Sequence, residues 1–245
     1  MVNAYAMPYP EHQGGGISYG GYADYVRAPA HFCIRIPDAL ASTDAAPMLC
    51  AGITVFSPLR RYGAGPATRV GIVGVGGLGH FGILFAAALG ACEVVAISRT
   101  SAKRADALAM GATGFVATDE DPRWPDTHRA SLDLIVCTVS DPRMPLNGYL
   151  ALLAHGAIFV QVGSPEGDLP SFSPFAFITK DAKLAGSCIG PPWEIEEMLR
   201  FAAEKNVKPW IQLRSLKDAN QVVVDMEKGR ARYRYVLVNE KHANA

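Results

Sequence analysis

The feature that most constrains the fold of this chain is a glycine-rich turn, GVGGLG, formed by Gly74, Val75, Gly76, Gly77, Leu78 and Gly79. The β-branched run RVGIV precedes the turn, and the apolar stretch HFGILFAAALGA follows it. A strand, a tight glycine turn and a helix in this order hold the pyrophosphate of a dinucleotide at the helix N-terminus. We therefore expect a βαβ unit that binds a dinucleotide. The alternative is a βαβ unit whose turn binds nothing.

The end of the next strand, VVAIS, indicates which dinucleotide is bound. An NAD-binding unit usually places an Asp or Glu about 20 residues after the turn, for the ribose 2′-hydroxyl. Here the strand ends in Ser98 and Arg99, and Lys103 and Arg104 follow closely. A hydroxyl and cations favour a 2′-phosphate, which an acid would repel. We expect NADP(H), with Ser98, Arg99 and Lys103 as ligands of the 2′-phosphate. The alternative is a solvated helix N-terminus, which leaves NAD use open.

Strands and helices alternate from about residue 69 to residue 189, which predicts an α/β fold with a parallel, doubly wound sheet. The predicted elements after the first βαβ unit are a helix at 102–110, strands at 114–118 and 132–139, a helix at 146–154, the strand AIFVQVGSP and a last strand at 183–189. Residues 191–245 are expected to add two helices and a terminal strand, YRYVLV.

Composition excludes several other classes of protein. The 245 residues carry 23 basic and 23 acidic side chains, so nothing favours nucleic acid or an anionic membrane as a partner. The longest apolar stretch, at 81–92, is too short to span a bilayer, and no secretory signal is visible. The five cysteines are scattered without a CxxC pair. These features predict a reducing, cytoplasmic location.

Several motifs occur together in a characteristic order: GGYADYV, AAPMLCAGITVFSPL, GVGGLGH, GSCIG and EKGRARYRYVLVNEKHA. With them the chain resembles the medium-chain zinc alcohol dehydrogenases, in their NADP(H)-dependent, cinnamyl alcohol dehydrogenase-like branch. The resemblance implies hydride transfer between NADPH and a small-molecule alcohol or aldehyde. It also implies a Rossmann domain at 52–189 and an incomplete, β-rich, GroES-like catalytic domain made of 1–51 and 190–245. A homodimer through the edge strand near 183–192 is expected as well.

Zinc is the point at which the sequence departs from this family. Members begin with a further segment that normally carries a cysteine ligand, a histidine–glutamate pair and a four-cysteine structural lobe. Of the catalytic ligands only Cys50 is present here, and one thiolate cannot replace three protein ligands. His12 and His31 are conceivable substitutes, but their spacing matches no zinc motif. Bound zinc is therefore doubtful, and a buried, inert Cys50 is the alternative.

The resemblance also assigns roles to individual residues. Thr54, one helical turn past Cys50, is the candidate catalytic residue on the nicotinamide side. Arg232 is a candidate for the pyrophosphate, and Trp193 for a substrate pocket. Five positions near the ends of later strands are assigned to the nicotinamide half of the cofactor: Thr138, Gly163, Ser187, Cys188 and Ile189. Each has an ordinary structural alternative, such as a strand end, a turn or a hydroxyl bonded within its own helix.

Three functions are compatible with these observations. The first is an NADP(H)-dependent alcohol dehydrogenase, impaired by the loss of two of its three zinc ligands. The second is a zinc-independent medium-chain reductase of enones or quinones. The third is a non-catalytic NADPH-binding protein or subunit.

Overall fold

The computed structural model describes residues 5–8 and 15–242, so His12 lies outside the described residues. The N-terminal part contains two short antiparallel strands and two helices joined by a π-helical turn: β1 (Tyr5–Pro8), β2 (Ile17–Tyr19), α1 (Ser42–Pro47), the π-helical turn (Met48–Gly52) and α2 (Ile53–Arg61). The remaining elements alternate, in the order β3 (Arg69–Val73), α3 (Gly79–Ala88), β4 (Glu93–Ser98), α4 (Arg104–Ala109), β5 (Gly114–Ala117), α5 (Trp124–Thr127), β6 (Leu132–Cys137), α6 (Leu146–Ala151), β7 (Leu153–Gln161), α7 (Phe175–Ile178), β8 (Lys183–Gly186), α8 (Pro192–Glu204), β9 (Ile211–Ser215), α9 (Ala219–Glu227) and β10 (Arg234–Val238).

Six of these strands form one parallel sheet in the order β5-β4-β3-β6-β7-β8. The chain starts at the centre with β3, runs outward to β5, and returns to the other side of β3 with β6. This order confirms the predicted doubly wound α/β fold. Ligands of such sheets bind at the carboxyl ends of the strands, where the order reverses. The turn at 74–79 follows β3 directly at this point.

The sheet is covered by apolar side chains on both faces. Successive residues of a strand point to opposite faces, and Ile72 and Val73 accordingly belong to different apolar clusters. The cluster of Ile72 contains Phe81 and Phe85 of α3, whereas the cluster of Val73 contains Leu150 of α6. Burial on both faces explains why the strands read as nearly continuous apolar runs.

Helices α2 and α8 pack on the first of these faces. The Phe56 ring lies 5.1 Å from the Phe85 ring and 5.6 Å from the Phe201 ring, measured between centroids. Ala45 of α1 and Met198 of α8 are buried in the same cluster. One core therefore includes residues from all three of the expected segments, and the proposed domain boundaries stay predictions.

Several elements differ from the expectations, among them the short helices α5 and α7, which were not expected. The helix expected at 146–154 ends at Ala151, because Leu153 already pairs with Leu132 at the start of β7. The last strand stops at Gly186, and the backbone turns away before Ile189, whose φ is +44°. Strand β9 was not expected; it pairs in parallel with β10 in a separate two-stranded sheet. Within the described part of the chain, no helix is both long and apolar enough to cross a membrane.

Candidate functional site

The glycine-rich turn is a tight structure that tolerates few side chains. Gly74 has φ +90° and donates its N–H to the Ile97 carbonyl at 2.8 Å. A Cβ on Gly79 would lie 1.7 Å from the Gly74 carbonyl oxygen, so the start of α3 fits against the turn only with glycine. A Cβ on Gly76 would meet nothing within 4 Å. Gly76 therefore faces open space, on the side where a ligand could approach the backbone.

Thr138 supports this turn from the neighbouring strand end. Its hydroxyl lies 2.8 Å from the Val73 carbonyl oxygen and 3.0 Å from that of Gly74. A Cβ on Gly74 would come within 2.7 Å of the same hydroxyl. Because the hydroxyl donates to the backbone of the turn, Thr138 holds the turn in place. Contact between Thr138 and a cofactor stays a prediction.

The carbonyl of Gly77 is bonded by two side chains. Arg234 Nε donates to it at 3.0 Å, and His80 Nδ1 lies 3.0 Å away. Burial lowers the pKa of the Arg234 guanidinium from its ordinary value. Arg234 was missed by the sequence analysis, which named Arg232, because both arginines lie in the terminal segment and no local pattern separates them. Arg232 instead places its Cζ 5.8 Å from the Tyr233 ring centroid.

The residues expected to bind the 2′-phosphate lie beside the turn. Ser98 ends β4, and Arg99 is exposed directly after it. Lys103 reaches back to the turn, where its Nζ donates to the Val75 carbonyl at 2.6 Å. Burial, followed by the positive charge of Arg232, lowers the pKa of Lys103. The fold thus brings a cluster of cations next to the turn, although the two are well separated in the sequence.

An acid also lies beside this strand end, where the positive charge of Arg104 acts on it. Glu120, in the loop after β5, accepts hydrogen bonds from Ser101 N at 2.7 Å and from Ser101 Oγ at 3.0 Å. These two bonds hold the pKa of Glu120 below its usual range. The loop is anchored next to Arg99, whose carbonyl accepts the Asp119 N–H at 2.9 Å. Glu120 was not predicted, because its approach depends on how β4 and β5 pair.

The carboxyl end of β7 packs against the end of β6. A Cβ on Gly163 would lie 2.2 Å from the Val139 carbonyl oxygen, so the contact between these two loops already requires glycine. Gln161 Nε2 donates to the carbonyls of Val139 and Gly163 at 2.9 and 2.8 Å. The space beside Gly163 is therefore filled by backbone, and its expected role in admitting the nicotinamide ribose stays a prediction.

Two buried oxygens near the start of the 187–189 segment have no hydrogen-bond partner among the described residues: Ser187 Oγ and Gln161 Oε1. Ser187 N donates to the Gln161 carbonyl at 3.2 Å, which places both residues at the same strand ends. Cys188 and Ile189 are exposed just beyond them. Because buried polar groups are normally paired, these two oxygens need a partner that the described residues do not supply, such as water or a polar group of a ligand.

Cys50 lies in the π-helical turn, and Thr54 lies at the start of α2. Thr54 is only 7% exposed, and its hydroxyl donates to the Cys50 carbonyl at 2.7 Å. A Cβ on Gly190 would lie 2.9 Å from Ile53 Cγ1, so the segment after β8 passes directly beside this turn. Thr54 is thus near the expected nicotinamide side, but its hydroxyl proton is used within its own helix.

Zinc does not fit the described donor set. Cys50 is exposed, so the alternative of a buried thiol is wrong. His31 is exposed in a short 3-10 helix beside Phe32. Across residues 5–8 and 15–242, no group of three or more His, Cys, Asp or Glu side chains could hold a metal ion.

Trp193 lies in a separate cleft of about 590 Å³ between α2 and α8. Two ion pairs cross this cleft, Arg60 with Glu197 at 2.7 Å and Arg61 with Glu194 at 3.7 Å. The cleft contains none of the residues of the glycine-rich turn, and the expected role of Trp193 in a substrate pocket stays a prediction.

The family model described as zinc-binding dehydrogenase matches residues 77–204, from the glycine-rich turn to the end of α8. This chain belongs to the zinc-binding dehydrogenase family. Membership in this family confirms the resemblance found in the sequence.

Individual dehydrogenases support the same assignment. The chain is 39% identical to NADP-dependent alcohol dehydrogenase 6 of Saccharomyces cerevisiae over 97% of its length, and 43% identical to 8-hydroxygeraniol dehydrogenase of Catharanthus roseus over 97%. Among solved structures, a cinnamyl alcohol dehydrogenase from Sorghum bicolor matches 92% of the chain with TM-score 0.86 and 36% identity. An NADP(H) complex of a cinnamyl alcohol dehydrogenase from Helicobacter pylori matches 93% with TM-score 0.81 and 33% identity. The chain spans 66%, 64%, 64% and 64% of these four dehydrogenases, respectively.

Proposed function

We propose that this dehydrogenase-family chain binds NADP(H) and belongs to an alcohol dehydrogenase that acts on a small-molecule alcohol or aldehyde. The observation that carries the proposal is the end of β4, where Ser98 and Arg99 stand in place of the acid of NAD-binding units and Lys103 reaches the adjacent glycine-rich turn. The relatives named NADP-dependent alcohol dehydrogenase and cinnamyl alcohol dehydrogenase support the same cofactor and the same class of reaction.

The pyrophosphate would be held at the glycine-rich turn. The open side of Gly76 lets a phosphate approach the backbone N–H groups at the start of α3. The guanidinium of Arg234 lies at the same turn, anchored through Nε to Gly77, so its remaining N–H groups are available to an anion. Arg234 is therefore our candidate for the pyrophosphate in place of Arg232.

The nicotinamide would lie toward the ends of β7 and β8. Its carboxamide both donates and accepts hydrogen bonds, and Ser187 Oγ and Gln161 Oε1 are the buried groups that need such partners. When bound, the cofactor supplies the hydride that reduces an aldehyde or receives one from an alcohol. The chain's own part is to orient the ring with Ser187, Cys188 and Ile189.

A zinc-independent reductase is the second candidate function. It is favoured by the donor set of the described residues, which offers Cys50 without two further metal ligands near it. A non-catalytic NADPH-binding subunit is distinguished from both by turnover. We also propose a homodimer through β8, which is one of the two edge strands of the sheet and carries the exposed Leu184.

Cofactor binding tests the first part of the proposal. Titration of the purified chain with NADPH and NADH, followed by nucleotide fluorescence, should give at least tenfold tighter binding of NADPH. Ser98→Asp should invert this preference, since a carboxylate repels the 2′-phosphate and accepts a bond from a 2′-hydroxyl. Ser215→Asp in β9 is the matched control and should leave the preference unchanged. Equal binding of both nucleotides by the unsubstituted chain would reject the NADP(H) assignment.

Turnover tests the second part. NADPH oxidation with cinnamaldehyde is measured with and without a zinc chelator, and its abolition by the chelator supports the zinc-dependent dehydrogenase. Turnover that survives chelation supports the zinc-independent reductase. Absence of turnover in a chain that binds NADPH supports the non-catalytic subunit.

A further inference from the structure

Tyr233 connects the C-terminal segment to the expected 2′-phosphate side of the site. It lies one residue before β10, is only 3% exposed, and its hydroxyl donates to the Asp106 carboxylate. Asp106 belongs to the first turn of α4, three residues after Lys103. The buried Tyr233 therefore links the C-terminal segment to α4, more than 120 positions earlier in the sequence.

The ring of Tyr233 is also the surface on which Lys103 lies. Lys103 Nζ is 5.6 Å from the ring centroid, within the range of a cation–π interaction. The same Nζ donates to Val75 O in the glycine-rich turn. The flexible lysine side chain is thus held between an aromatic ring and a carbonyl, and its head group stays close to the turn.

Two further groups lie against the ring, in addition to Trp210, whose ring centroid is 6.1 Å away. His80, in the first turn of α3, stacks on it with a centroid distance of 5.6 Å and an interplanar angle of 13°. Arg232 places a second cation 5.8 Å from the centroid. Tyr233 therefore brings two positive charges together in a partly buried place, where they would repel each other without an anion or an aromatic face between them.

We propose that Tyr233 is a positioning residue, which holds Lys103 beside the glycine-rich turn so that it can bind the 2′-phosphate of NADPH. The C-terminal segment thereby contributes to the choice between NADPH and NADH without touching the adenosine ribose itself. This inference rests on the proposed function, in that Lys103 must bind the 2′-phosphate.

A purely structural Tyr233 would have a different signature. Loss of a buried ring that is only structural lowers the stability of the fold. It also weakens the binding of NADPH and NADH by the same factor, because both nucleotides bind at the same turn and sheet. A positioning residue changes the ratio of the two dissociation constants. The ratio is therefore the decisive measurement, and thermal unfolding of each variant reports the structural part separately.

The test compares Tyr233→Leu and Tyr233→Phe with the unsubstituted chain. Tyr233→Leu removes the aromatic face and should weaken NADPH about fivefold, with NADH changed less than twofold. Tyr233→Phe keeps the ring but loses the bond to Asp106, and the ratio should fall about twofold. Tyr235→Leu, two residues further on and within β10, is the matched control and should preserve the ratio.

A Lys103→Met background decides whether the effect passes through the lysine. In that background Tyr233→Leu should leave the ratio of dissociation constants unchanged, as expected for two groups that act as a unit. An equal loss for both nucleotides, or an undiminished effect in the Lys103→Met background, would overturn the inference. If Tyr233→Leu fails to fold, Tyr233→Phe decides, and an unaltered ratio overturns the inference.

Failure of the two proposals gives different results. An unsubstituted chain that binds neither nucleotide, or binds both equally, rejects the proposed function and the inference with it. A chain that prefers NADPH but keeps its preference in every Tyr233 variant rejects the inference alone.

Discussion

His80 is a buried histidine whose protonation state follows from its partner. Its Nδ1 faces the Gly77 carbonyl, which can only accept a hydrogen bond, so Nδ1 carries the proton. Nε2 then presents a lone pair, and it has no partner among the described residues. Protonation of Nε2 would bury a charge without a hydrogen-bond acceptor, and burial accordingly lowers the pKa of His80 to about 4.

Stability should therefore depend on His80 in mildly acidic solution. The unfolded chain takes up this proton near pH 6.5, whereas the folded chain takes it up only near pH 4. The contribution of His80 to the free energy of unfolding is complete above pH 6.5 and is lost as the pH falls toward 4. Since one pKa unit corresponds to about 1.4 kcal/mol, the total loss is about 3 kcal/mol. Urea unfolding across this range measures it. His80→Asn should flatten the pH dependence, and an equally steep curve in that variant would contradict the prediction.

Glu120 should oppose the binding of a 2′-phosphate. Its carboxylate accepts hydrogen bonds from the Ser101 N–H and hydroxyl, and the positive charge of Arg104 acts on it. Glu120→Gln removes the negative charge and keeps an acceptor, so the affinity for NADPH should rise about twofold to fivefold while NADH is unchanged. Titrations at low and high salt provide the check, because the gain should shrink as salt screens the charge. Glu196→Gln on α8 serves as the control, and a weaker NADPH complex of Glu120→Gln would show that the carboxylate supports the loop instead.

Among the structural elements, the strand ends around the turn support one another. Thr138, after β6, bonds the end of β3, and Gln161, at the end of β7, bonds the residues after β6. Gly79 and Gly163 allow contacts that a Cβ would prevent. The three central strand ends therefore form a fixed edge, and the open side of Gly76 is the part of the turn left to a ligand.

Two glycine substitutions should separate folding from binding. Gly76→Ala meets no atom within 4 Å, so it should unfold at the same temperature as the unsubstituted chain but bind NADPH at least tenfold more weakly, because the methyl group blocks the pyrophosphate. Gly79→Ala places a Cβ against the Gly74 carbonyl and should destabilise the fold by several kcal/mol. Thermal unfolding and NADPH titration of both variants are the measurements. Tight binding by Gly76→Ala would remove the turn from the cofactor site.

The order of the elements and the position of the turn were predictable from the sequence, because apolar runs, glycines and helical stretches alternate locally. The hydrogen bonds that hold the site were not. Arg234 reaches Gly77, and Tyr233 reaches Asp106, across contacts that depend on the docking of β10. Strand β9 was missed although IQLRS alternates apolar and polar residues, because it is only five residues long and its partner β10 follows only after α9.

At the scale of the whole molecule, apolar side chains remain exposed beside one edge of the sheet. Leu184 of β8 is 42% exposed, and Phe175 and Ile178 of α7 are 66% and 69% exposed. An edge strand has backbone groups free on its outer side, and with exposed apolar neighbours it can pair with a strand of another chain. The opposite edge strand of the sheet, β5, carries buried apolar residues instead.

The chain should accordingly form a dimer through β8. Light scattering during size-exclusion chromatography should give twice the mass of the chain, and Leu184→Lys combined with Ile178→Lys should give a monomer, because two buried charges would oppose the interface. Val223→Lys on α9 introduces a charge at another exposed apolar residue and should leave the dimer intact. A monomeric unsubstituted chain, or a dimer that survives the double substitution, would exclude this interface.

The bond between Arg234 and Gly77 has a consequence for the order in which the molecule is assembled. The two residues are separated by 157 positions, so the turn is synthesised long before the arginine that anchors it. Contacts of such long range are made late, because closing a large loop costs entropy before the contact repays it. Helical and sheet structure should then recover before nucleotide binding during refolding. The ability to capture NADPH would thus appear only in chains whose last strand has already docked.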